Sequence, residues 1–145
     1  MTRSRREFAR SLGLAALVVL PTYSTAWAQD PRASVVASAA REWLEMTDKD
    51  DAAGSHASAG AKFRKALGVS QWKAALAKER APRGALVQRT TMQTTFDPKF
   101  DKAPPGDYAM LQFRTAFANQ SVAQETLTLE REPDSRWRVI GYFVR

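Results

Sequence analysis

The chain has no cysteine and a single histidine, His56, among its 145 residues. Iron–sulfur, haem-thiolate and zinc-thiolate centres therefore have no ligands, and no disulfide can form. No cofactor is expected. Long hydrophobic runs are also missing. The most apolar stretch, Leu12 to Leu20, is about half of the roughly 20 residues needed to span a bilayer, and Pro21 ends it. Glycine-rich phosphate loops, a nucleophile elbow and a metal-binding helix motif are absent as well. Ser55 and Ser58 flank His56, but helix neighbours do not face each other and no supporting acid stands nearby. Asp48, Asp50 and Asp51, with Glu45, lack the ligand spacing and the glycine of a calcium loop. They read as helix-end capping groups, and no metal site is expected.

What is present begins with a leader. Ser4-Arg5-Arg6-Glu7-Phe8-Ala9-Arg10 precedes the apolar stretch, and Ala26-Trp27-Ala28 follows it. A basic head, a short apolar middle and a small-residue cleavage site make a secretory signal. The head resembles the twin-arginine pattern Ser/Thr-Arg-Arg-x-Phe-Leu-Lys through Ser4, Arg5, Arg6 and Phe8, with Ala9 and Arg10 in the last two places. Residues 1–28 are thus expected to be a cleavable signal, cut after Ala28, and residues 29–145 one periplasmic or secreted domain. The leader holds four Arg and one Glu, so the formal charge of +7 falls to +4 for the remainder. That modest excess argues against a nucleic-acid binder, which needs a concentrated basic face. Lys62, Arg64 and Lys65, and Lys73, Lys78, Arg80 and Arg83, read as solvated helix faces.

The remainder divides by hydrophobic period. Asp30-Pro31 resembles a helix start, and Val36, Ala39, Ala40, Trp43 and Leu44 recur at helical spacing, which predicts a helix near 31–47. A second helix near 51–67 carries Ala59, Phe63 and Leu67, although Gly54 and Gly60 weaken it. Ser70 caps a third, which ends before Pro82. Beyond Gly84 the period changes to two, with strands over 86–96, 108–118, 122–132 and 137–144. Pro98, Pro104, Pro105 and Gly106 make the intervening segment a loop, and Pro133-Asp134-Ser135 a turn. The last strand is apolar on both faces, which predicts a central or doubly covered position. Helices followed by an antiparallel run give an α+β domain, with about three N-terminal helices packed on a four-stranded antiparallel sheet.

Arg89, Arg114, Glu125 and Arg138 fall in strands, where long charged side chains meet across neighbours. The favoured expectation is a charged ladder on the face away from the core. The alternative is a Glu125–Arg pair buried on the helix side, as an acid or ligand clamp. Glu125 is the candidate catalytic carboxylate, and Tyr108, Arg114 and Tyr142 are the candidate ligand-binding residues. Aromatic residues at strand spacing, Trp137 among them, are otherwise core.

Several patterns occur in a fixed order: Trp72-x3-Leu76-x3-Arg80-x-Pro82-x-Gly84, Arg89, Phe113-x-Thr115-x-Phe117-Ala118, Glu125-Thr126 and Trp137-Arg138-Val139-x-Gly141-Tyr142. Together they resemble the bacterial envelope family catalogued as domain of unknown function 4019, over roughly Val36 to Arg145. His56 stands where that family tends to have Trp, which implies a packing or surface role. The ending is also similar to the cone-shaped superfamily of nuclear transport factor and ketosteroid isomerase, which implies a possible pocket between helices and sheet.

The leading functional expectation is a non-catalytic domain in the envelope that binds a protein or small ligand. The alternative is a small cone-fold enzyme, isomerase- or hydrolase-like, using Glu125 with Tyr or Arg helpers. A third reading sets basic helix faces on anionic lipid or polysaccharide.

Overall fold

A computed structural model describes residues 30–145. The leader residues Arg5, Arg6, Phe8, Ala26 and Ala28 lie outside the described residues. Four α-helices come first: α1 (Arg32–Asp48), α2 (Ala52–Ser58), α3 (Ala61–Ala66) and α4 (Val69–Ala75). A π-helical turn (Leu76–Arg80) and a 3-10 turn (Ala81–Arg83) continue α4. Four strands follow: β1 (Leu86–Asp97), β2 (Tyr108–Phe117), β3 (Gln120–Arg131) and β4 (Trp137–Val144). They form an antiparallel meander in the order β1-β2-β3-β4, with the helices on one face.

Helix α1 buries one stripe, Val36, Ala40, Trp43, Leu44 and Thr47, at the three- and four-residue steps of a helix. Against it stand Leu111 and Phe113 of β2, and Leu127 and Leu129 of β3, all nearly inaccessible. Trp43, Phe63, Trp72 and Tyr142 pack ring to ring, with centroids 5.0–6.1 Å apart. These rings occupy the space between helices and sheet. Ser55 secures both indoles: its hydroxyl accepts from Trp72 Nε1 at 2.9 Å and its carbonyl from Trp43 Nε1 at 2.8 Å. Among the described residues, no helix is long and apolar enough to cross a membrane.

Three expectations are corrected. The segment expected as one helix over 51–67 is two, α2 and α3, broken at Ala59-Gly60. The break brings Gly60 against β4, where its amide donates to the Val139 carbonyl at 2.8 Å. A Cβ there would sit 2.8 Å from Ile140 Cγ2 and 2.9 Å from Glu132 Oε1, so any larger residue would have to displace those side chains. Ser70 does not cap α4. Gly68 holds that position, and its amide donates to the Gln71 side chain at 2.9 Å. Strand β4 lies at the sheet edge rather than the centre. The α2–α3 corner packs on its first half, while Phe143 remains 74% exposed.

Candidate functional site

Arg89 and Glu125 face the helices and meet there, so the expected outward ladder is replaced by the buried clamp. Arg89 lies opposite Thr115, and Thr115 opposite Ala123, two residues before Glu125. That register puts Arg89, Thr115 and Glu125 on one face of three adjacent strands. Glu125 is fully inaccessible. It accepts from Arg89 Nε at 2.6 Å and Nη2 at 3.1 Å, from the Thr115 hydroxyl at 2.6 Å and from the Tyr142 hydroxyl at 2.7 Å. Four donors fill the lone-pair positions of a carboxylate.

The same guanidinium also reaches helix α1. Arg89 Nη1 and Nη2 donate to Asp48 at 2.8 and 2.9 Å, and Arg80 Nη2 donates to Asp48 at 3.1 Å. Arg80 belongs to the π-helical turn, whose widened backbone keeps Trp72, Leu76 and Arg80 on one buried side. Its guanidinium lies 4.2 Å from the Phe117 ring centroid and donates to the Gly84 carbonyl at 2.6 Å. Gly84 turns the chain into β1 at a φ of 79°, a conformation that favours glycine. Two guanidiniums thus balance two carboxylates. Burial works to lower the pKa of Arg89, but its bonds to Asp48 and Glu125 outweigh that and raise it. Tyr142 is raised by burial first, then by the charge and hydrogen bond of Glu125.

Asp48, read from sequence as a cap, is therefore part of a buried ion cluster, and Asp51 is the residue that caps α2, through Gly54. Arg80 and Thr115 complete the cluster. Their sequence signal was the Arg-x-Pro-x-Gly link and a threonine on the buried side of β2. Ser55 and His56 do not pair: the Ser55 hydroxyl donates to the Asp51 carbonyl at 2.7 Å, and His56 Nε2 lies 2.7 Å from the Leu67 carbonyl oxygen.

The remaining candidates separate. Tyr108 is buried at the far end of the sheet, with its hydroxyl on the Pro104 carbonyl at 2.7 Å. Arg138 binds Asp134 at 2.7 Å and Glu132 at 3.4 Å beside the last turn. The Asp134 carboxyl is held down to about 2 by the bond from Arg138 and then by the Arg136 amide. These residues border an open groove of about 950 Å³ beside α1, whose Arg64 is already committed to the Ala57 and Ala59 carbonyls. A smaller cavity of about 360 Å³ lies between α4 and β4, with Trp72, Arg80, Tyr142 and Phe143 in its wall. Glu125 lines neither space. Arg114 faces the opposite side of the sheet, beside a concavity of about 550 Å³.

The family model described as a protein of unknown function (DUF4019) matches residues 39–142. The chain belongs to that family. No curated protein matches it. Among solved structures, Aln2 from a Streptomyces species is similar at 16% identity and a TM-score of 0.48, covering 81% of this chain and 92% of that one.

Proposed function

We infer that this chain is a non-catalytic binding module of the bacterial envelope, exported with the leader 1–28 and recognising its partner on the outside of the domain. One observation carries the reading: Glu125, the carboxylate the sequence offers for catalysis, is fully buried under four donors. A general acid or base must come within about 3 Å of the proton it moves. Glu125 already spends that reach on Arg89, Thr115 and Tyr142, and the aromatic rings occupy the space above it. Together with those of Asp48 and Arg80, the same bonds serve a structural purpose, joining α1, the π-helical turn and all four strands. The leader supports the location through Arg5, Arg6, Phe8 and the Ala26-Trp27-Ala28 cleavage site.

In-cell cross-linking followed by fractionation tests this reading. The expected result is the chain in the periplasmic fraction, joined to a partner in a discrete heavier species that persists when Tyr142 is replaced by Phe. A chain that stays in the cytoplasm, or a species lost in Tyr142→Phe, overturns it.

A further inference from the structure

The sheet face away from the helices is an unusual surface. Strand register aligns it in ranks across the strands. One rank is Thr90, Arg114, Gln124 and Arg145, and the next is Gln93, Gln112, Thr126 and Phe143. Thr95, Met110, Thr128 and Gly141 form a third. No Asp or Glu stands in these ranks. Arg114 and Arg145 are exposed, and among the described residues neither forms an ion pair; Arg145 makes one long contact, 3.4 Å, to Gln124 Oε1. Every other arginine on the strands is paired: Arg89 with Asp48 and Glu125, Arg131 with Asp107, and Arg138 with Asp134.

Apolar side chains surround the two free guanidiniums. Met92 is 62% exposed, Val122 61% and Phe143 74%. Met92 is the unpaired residue of a bulge, between the partners Thr91 and Gln93. Bulges re-aim side chains, and this one leaves a methionine on the rim of the 550 Å³ concavity. Guanidinium groups flanked by apolar side chains and side-chain amides suit a ligand that alternates carboxylates with apolar groups. A second copy of this chain does not fit face to face, because the face has no Asp or Glu to offer its own two arginines.

We propose that this face binds an acidic, apolar-interspersed segment of a partner protein, with Arg114 and Arg145 as its two carboxylate anchors. This deepens the binding-module reading by naming the surface and the chemistry of the partner. Arg114 and Arg145 stand on β2 and just beyond β4, two strand spacings apart, which is roughly 10 Å. In a polyproline-II segment, with three residues per turn and about 3.1 Å per residue, residues i and i+3 lie on the same side at roughly that distance. The matching segment therefore carries Glu or Asp at i and i+3 with Leu or Phe between them. Gln112 and Gln124 supply neutral hydrogen bonds to its backbone, and Met92, Val122 and Phe143 contact its apolar side chains.

The experiment is titration of the isotope-labelled chain with a synthetic peptide bearing Glu at i and i+3 and Leu and Phe between, followed by amide NMR. The expected shifts map to the Met92 bulge of β1, the second halves of β2 and β4 and the first half of β3. Affinity should fall at least tenfold in R114E/R145E, and at least tenfold when the peptide's Glu residues become Gln. It should be unchanged in K73E/K78E, which reverses two exposed charges on the helical side. No binding, or binding indifferent to R114E/R145E, overturns the proposal. Equal or tighter Arg-dependent binding of a polyuronate oligomer, or of phosphatidylglycerol vesicles, overturns the assignment to a protein partner. The cross-linking experiment that tests the module reading does not depend on this peptide, so the two can fail separately.

Discussion

Arg89 on β1 reaches across β2 and holds Glu125 on β3, with Nε 2.6 Å from one carboxylate oxygen and Nη2 3.1 Å from the other. The other edge of the guanidinium holds Asp48 at the end of α1. One side chain thereby ties the helical layer to two non-adjacent strands. Within the low-dielectric interior such a cluster is stable only while its charges balance.

Removing Glu125 leaves two guanidiniums facing one carboxylate. Glu125→Leu should destabilise the fold by about 3–5 kcal/mol, the usual cost of an uncompensated buried charge. The double variant Arg89→Met/Glu125→Leu should lose less than the sum of the two single variants, because contacting groups are not additive. Urea unfolding of the four proteins measures the coupling. Strict additivity would mean that the pair does not act as a unit.

Tyr142 gives the fold an alkaline limit. Its pKa is raised in the folded protein, so the folded state keeps a proton that the unfolded chain releases above its ordinary value of about 10. Stability from this group is complete below pH 10 and falls as pH rises beyond it, by at most about 1.4 kcal/mol per pH unit. Tyr142→Phe should flatten that slope between pH 10 and 12. Denaturation profiles of equal slope in both proteins would contradict the assignment.

The Gly60 approach can be tested by adding one methyl group. Gly60→Ala would push Cβ against Ile140 and Glu132, and should cost about 1–3 kcal/mol as an overpacked contact. Gly141→Ala meets its nearest atom, in Thr128, at 3.7 Å, and should be neutral or stabilising by about 0.4–1 kcal/mol. Chemical denaturation that ranks the two variants the other way would be incompatible with the tight α2–α3 corner.

Export should depend on the paired arginines. Replacing Arg5 and Arg6 by Lys is expected to retain a fused reporter in the cytoplasm. Continued export of that double variant would point to the general secretory channel instead.

Period and punctuation carried most of the architecture. Two-residue alternation marked β2 and β3 within a few residues, a threonine-rich run and an apolar run marked β1 and β4, and Gly84 marked the switch from helix to sheet. Local rules failed where a distant contact decided the outcome. The Ala59-Gly60 break depends on Val139 in β4, which no helical window contains. Asp48 looked like a cap because it sits among Asp50 and Asp51, yet Arg80 and Arg89 draw it inward from positions 32 and 41 residues away. A pairing of Glu125 with a strand arginine was legible, but neither that Arg89 was the partner nor which face they shared. Alternation fixes that two residues lie on one side, while packing decides which side is buried. Arg114 was singled out, and its relation to Arg145 emerged only from the pairing of Gln124 with the chain's last residue.

The division of labour between a locked interior and a binding face is tested most directly by melting and peptide titration of the same two variants. Tyr142→Phe removes one hydrogen bond to the buried carboxylate of Glu125, a loss of about 1.5–3 kcal/mol, and should lower the melting temperature by several degrees or more while leaving peptide affinity unchanged. R114E/R145E should melt close to the unsubstituted chain and bind the peptide at least tenfold more weakly. The account is contradicted if Tyr142→Phe abolishes binding at an unchanged melting temperature, or if R114E/R145E binds as tightly as the unsubstituted chain.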